Sequence, residues 1–192
     1  MFKLKWILFY TLLSTPLFTS NIAFSAPKEY PIMKVDYGPA TSFKSGAVGS
    51  MSIPVDELAN AKVALFDGLV VIFSNGSNLS METITDTSMG YAGVDMRTWP
   101  KYLLGLQNKG LEPVAFIAEL VKSKQHIIDS EVAPFEVRTF VTKQGLGYWA
   151  VGPKKSMIVF TSSDIKDQVM VVFTENMDES AVKKIIINGA LT

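Results

Sequence analysis

Gln168-Val169-Met170-Val171-Val172-Phe173-Thr174, followed closely by Asp178-Glu179-Ser180-Ala181-Val182-Lys183-Lys184-Ile185-Ile186, decides the fold class. The first run is short and dense in β-branched residues, so it reads as a strand. The second reads as an amphipathic helix. Asp178 or Asn176 supplies the cap, Glu179 favours the positive end of the helix dipole, and Gly189 supplies the stop. Val182, Ile185 and Ile186 recur on an inward face while Lys183 and Lys184 face water. Upstream, Phe135 to Thr142, Tyr148 to Val151 and Ser156 to Thr161 read as further strands. Gly145-Leu146-Gly147 and Gly152-Pro153-Lys154-Lys155 supply the turns between them.

Working back towards the N-terminus, Lys62-Val63-Ala64-Leu65-Phe66 and Leu69-Val70-Val71-Ile72-Phe73 flank Asp67-Gly68, a hairpin pattern. Asn75-Gly76 gives a second reversal before a strand over Asn78 to Thr85. The middle is helical. Thr98 caps, Pro100 sits in the first turn, and Tyr102, Leu103 and Leu106 form a stripe ending at Gly110. Pro113 opens a second helix to about Lys124, in which Val114, Ile117, Leu120 and Val121 are expected to face inward. A strand over 114–121 competes, but Ala115, Ala118, Glu119 and Leu120 favour the helix. The expected architecture is α+β, an antiparallel sheet packed against two or three helices with an amphipathic helix at the C-terminus.

A β-meander, central helices before Phe135-Glu136-Val137-Arg138-Thr139-Phe140, and a strand-to-helix ending over Val169 to Asn188 resemble the PsbP-like superfold across roughly residues 50–190. The resemblance rests on element order. It implies an antiparallel sheet layered between helices, in a family of exported bacterial proteins and photosystem accessory proteins that mostly act in binding or assembly. It assigns no functional residue.

Met1 to Ser25 read as a secretory signal peptide. Lys3 and Lys5 form the positive region, Trp6 to Leu13 begin the apolar region, and Ala23-Phe24-Ser25 places small residues for cleavage before Ala26. Pro16 and Thr19-Ser20-Asn21 interrupt the run, which argues against an uncleaved anchor. The 192 residues carry 18 basic and 18 acidic side chains, and losing Lys3 and Lys5 leaves 16 against 18, a net charge of −2. Residues 26–50, rich in Pro, Gly, Ser and Ala, read as an extended segment, and 51–192 as one α+β domain. No cysteine is present, which favours a bacterial periplasm over a disulfide-reliant eukaryotic secretory route, although secretion outright is also consistent. Balanced charge gives no footprint for nucleic acid, and no later stretch is long enough to span a membrane.

The residues exclude more chemistry than they suggest. Without cysteine there is no thiol catalysis or thiolate metal site, and one histidine cannot build a His-rich site. His126 could pair with Asp129 or Glu131, but no nucleophile elbow accompanies it, and an exposed histidine at a helix end explains it more simply. Ser163-Asp164-Ile165-Lys166 and Ser180-Ala181-Val182-Lys183 match Ser-x-x-Lys, yet turn and cap chemistry accounts for both serines. Glu119, Asp129, Glu131 and Glu136 are the clustered acids that a carboxylate-pair hydrolase would need. No calcium-loop or dinucleotide-loop spacing occurs, so neither metal nor cofactor is expected.

Adjacent strand residues point to opposite faces, so in a one-sided sheet Tyr148 or Trp149 would be exposed as a partner anchor. Lys154, Lys155 and Trp99 join them as expected partner-contacting residues. The leading expectation is an exported, non-enzymatic binding or envelope accessory protein, of immunity or inhibitor type in its most specific form, whose partner is another protein. A small periplasmic hydrolase and an apolar-ligand carrier, the latter prompted by the abundance of methionine, are the alternatives.

Overall fold

The computed structural model describes residues 27–31, 38–65 and 68–191, with side chains to Ile186. The expected signal peptide, its cleavage site and the Asp67 position of the hairpin turn lie outside the described residues. In chain order the strands are β1 (Lys28–Glu29), β2 (Ala40–Ser45), β3 (Gly49–Pro54), β4 (Lys62–Leu65), β5 (Leu69–Ile72) and β6 (Asn78–Thr85). A 3-10 turn (Met96–Thr98), α1 (Trp99–Leu103), α2 (Val114–Ser123) and a π-helical stretch (Lys124–Val132) follow. Then come β7 (Glu136–Val141), β8 (Leu146–Val151), β9 (Lys155–Phe160), β10 (Gln168–Glu175) and α3 (Glu179–Leu191). The fold is α+β, as the sequence implies.

Eight strands form one sheet in the order β1-β7-β8-β9-β10-β6-β5-β4. Every pairing in it is antiparallel except β1 with β7. The pairing register lines up Arg138, Trp149, Ile158, Val172, Met81 and Leu69 across six strands. The β2–β3 hairpin and α3 cover this row, adding Val48, Met51, Ile53, Val182, Ile185 and Ile186 to one core. The neighbouring row through Tyr148, Val159 and Val171 faces the other way, under α1, α2 and the π-helical stretch. The sheet is therefore buried on both faces, which is why its central strands are near-continuous apolar runs.

Several local expectations change. The boundary read at residue 50 falls inside the β2–β3 hairpin, so the N-terminal segment supplies part of the core through Val48. Leu65 pairs with Leu69 at the end of the first hairpin. At the second, Gly76 takes a positive φ of 83°, and the Asn75 carboxamide oxygen accepts from the Ser77 N–H at 2.9 Å. The first central helix is a single turn, ended by a chain reversal at Gly105 with φ 70°. At α3 it is Asp178 that caps, its Oδ1 accepting from the Ala181 N–H at 2.8 Å. That helix runs on past Gly189 to Leu191.

Candidate functional site

Burial corrects the exposed-aromatic expectation. Tyr148, Trp149 and Trp99 are 3%, 0% and 5% exposed, so none of the three presents its ring to a partner. An exposed aromatic requires a sheet covered on one side only, whereas cover on both sides gives each of the adjacent aromatics a core. Lys155 lies half-buried beside Glu131 at 3.5 Å, and Lys154 is exposed on the β8–β9 turn, where its carbonyl accepts from the Asn176 N–H. The five residues do not form one patch.

The groups considered for catalysis are dispersed among structural bonds. Ser163 donates to Asp164 Oδ1 at 3.1 Å, and Ser180 to Asp178 Oδ1 at 2.6 Å. Lys183 pairs with Glu179 at 2.9 Å, not with Ser180. The four clustered acids take four different sets of partners: Glu119 accepts from Tyr91, Asp129 from Lys124, Glu131 faces Lys155 and His126, and Glu136 accepts from Arg138. His126 is exposed and lies 3.9 Å from Glu131. Among the described residues no group of three His, Asp or Glu side chains could hold a metal ion.

A cavity of about 130 Å³ opens between α3, β3 and the β5–β6 turn, with Ile53, Phe73, Met177 and Ile185 among its walls and Glu57 and Lys184 beside it. Those two charges are paired at 2.8 Å. Small-molecule sites usually enclose roughly 300–1,000 Å³, so this one is undersized for a lipid or other large apolar cargo.

The setting of Arg138 has no local signal in the sequence. Its guanidinium donates to Glu136 Oε2 at 2.8 and 2.6 Å and to Glu179 Oε1 at 2.9 Å. It also lies 4.8 Å from the Trp149 ring centre and 5.5 Å from that of Tyr30, two rings that meet edge-on at 6.0 Å. Lys28 reaches Glu136 at 3.0 Å. This cluster fastens β1 and α3 to the sheet, and its donors and acceptors are spent on one another.

The surface that remains unexplained is α2 and the loop before it. Phe116 and Leu120 pack inward, with Phe116 edge-on to Tyr91 at 5.3 Å. Val114 and Val121, expected to be inside, are 83% and 45% exposed. Ala118 is exposed between them and Ile117 is half-buried at the margin, so the outward stripe of the helix is apolar as well. The apolar arc of α2 thus extends beyond its buried face, with Glu119, Lys122 and Ser123 supplying the polar side. Leu111, fully exposed, extends the patch on the loop.

The loop is pinned in place. Tyr102 donates to Glu112 Oε2 at 2.5 Å and accepts from Gln107 Nε2 at 2.9 Å, while Gln107 also donates to the Lys109 carbonyl. A Cβ at Gly110 would overlap the Tyr102 hydroxyl oxygen, so glycine lets the loop close over the phenol. Burial first, then the hydrogen-bonded Glu112 carboxylate, pushes the Tyr102 pKa up to about 12. A raised tyrosine pKa adds stability that is whole below about pH 10 and is lost as the pH climbs. The Glu119 hydrogen bond also raises Tyr91, and burial raises Tyr148, so Tyr102 should be one of several tyrosines that titrate late in phenolate absorbance. Tyr102→Phe should remove one tyrosine's share of that late amplitude. An unchanged titration curve in the variant would contradict the pinning.

No protein-family model, curated protein or solved structure matches the chain significantly. The PsbP-like resemblance thus continues to rest on element order, and the functional reading rests on the residues themselves.

Proposed function

We propose that this is an exported, non-catalytic accessory protein of the cell envelope that works by docking through the outward face of α2 and its preceding loop. The signal-peptide pattern of residues 1–25 supports export, and the absence of cysteine favours a periplasmic destination. The observation that carries the docking is the stripe of Val114, Ala118 and Val121 turned away from the sheet on a helix already anchored by Phe116 and Leu120. Contiguous exposed apolar surface of this kind marks interaction sites. The engagement of Ser163, Ser180 and the clustered acids in structural bonds favours binding over hydrolysis.

Expression of the full chain in a bacterial host tests this reading. The mature chain should begin at Ala26 and sediment in part with the envelope fraction. The double variant Val114→Ser/Val121→Ser should be exported and folded equally well yet stay in the supernatant. A wild-type chain found wholly in the supernatant, or a variant that sediments like the wild type, would overturn it.

A further inference from the structure

We propose that the cavity bounded by α3, β3 and the β5–β6 turn is a binding site for a free aliphatic α-amino acid. It lies on the sheet face opposite to α2, so the inference goes beyond the docking role and does not depend on it.

Size sets the first limit. A cavity of about 130 Å³ is close to the roughly 150 Å³ apolar cavity that holds benzene, so it takes a body of about four to six heavy atoms. Its floor is apolar. Ile53, Phe73 and Ile185 are buried, and Met177 is half-buried beside them. An ordered water needs about two to four polar partners, which such a floor does not offer. A short branched or thioether chain fills the same space with no bond left unmade.

Charge sets the second limit. The rim carries two acids and one base, Glu57, Asp178 and Lys184. Lys184 is paired with Glu57 Oε1 at 2.8 Å, and Asp178 spends Oδ1 on Ser180 and the Ala181 N–H at the start of α3. The second oxygen of each acid has no hydrogen-bond partner among the described residues. An ammonium, which carries three donors, matches that pair of acceptors. A carboxylate is met by the Lys184 charge and by the carboxamides of Asn75 and Asn176. The Asn75 oxygen is taken by Ser77, which leaves its amide N–H groups to face such an acceptor. A lone cation in this cavity is opposed by Lys184, and a lone anion by the two acids. In an α-amino acid the nitrogen and the carboxylate carbon are roughly 2.5 Å apart on one carbon, so both charges arrive together.

The test is a titration of the mature chain, followed by amide chemical shifts, with L-leucine and three analogues. Isoamylamine lacks the carboxylate, isocaproate lacks the ammonium, and glycine lacks the apolar body. L-leucine at millimolar concentration should shift the amides of Met177 and Ala181 and leave those of α2 unmoved. Each analogue should bind about tenfold more weakly or worse, through an unmet charge or lost apolar burial. Ala181→Leu, which fills the cavity, should abolish binding. Lys184→Gln should weaken L-leucine by about tenfold and erase its advantage over isoamylamine. Lys184 is partly exposed, so that variant keeps the test open even where Ala181→Leu disturbs the fold. No shift with L-leucine, equal binding of any analogue, or shifts centred away from the cavity would overturn the proposal.

Discussion

Replacing Arg138 with methionine should lower the stability of the fold by about 3 kcal/mol, the lower end of the cost of breaking a buried ion pair. The side chain is 13% exposed and binds two carboxylates and two rings at once. Lys28 still faces Glu136, and Lys183 still faces Glu179, so neither acid loses all its compensation. For a domain of this length the loss corresponds to roughly 10 °C in Tm. Arg138→Lys should recover only part of it, because an ammonium cannot reproduce the forked contact or stack on the indole.

The cost should also depend on pH. Glu136 is held below the usual carboxylate range by Arg138 first and Lys28 second, and Glu179 by Lys183 first and Arg138 second. A depressed pKa contributes stability above the unfolded value, about 4.3 for Glu, and that contribution is lost as the pH falls through the folded value. Urea midpoints of wild type and Arg138→Met should therefore differ most near neutrality and converge in acid. An equal difference at both would show that Arg138 acts through packing alone.

The second large effect is paired. Trp149→Ala and Tyr148→Ala should each cost about 3–5 kcal/mol, because each truncation opens a cavity in a different core. Trp149 sits in the row beneath α3 and the β2–β3 hairpin, Tyr148 beneath α1 and α2. Trp149 should cost the more, since its ring also carries the Arg138 guanidinium. Among the described residues the buried indole N–H of Trp149 has no hydrogen-bond partner, so Trp149→Phe should be much milder than Trp149→Ala. Guanidinium unfolding of the three variants checks this. A near-neutral Tyr148→Ala would mean that the α1–α2 layer does not cover the sheet.

That pair also shows what was legible beforehand. The four C-terminal strands and α3 are visible because strand runs, turn residues and a cap are local signals. The cover on both faces was present in the residues too. Met157-Ile158-Val159-Phe160 and Val169-Met170-Val171-Val172 are unbroken apolar runs, the mark of a strand buried on two sides. In a sheet so covered, the alternation of Tyr148 and Trp149 sends one ring into each core and neither to solvent.

Other features had no local trace. Arg138 and Glu179 are 41 residues apart, and nothing between them signals that α3 returns to β7. The inward face of α2 could not be chosen by periodicity, because Val114, Phe116, Ile117, Leu120 and Val121 leave no polar side wide enough to decide it. Packing against Tyr91 selects Phe116 and Leu120. The ambiguity that obscured the core face is also the basis for the docking face: the helix has apolar surface left over.

Hydrogen exchange of the mature chain, alone and with envelope membranes from its expression host, tests that docking face most directly. The account predicts added protection confined to residues 109–123, with the β2–β3 hairpin and α3 exchanging as they do in the free protein. Protection appearing instead around α3 and β3, or no change anywhere, would contradict it.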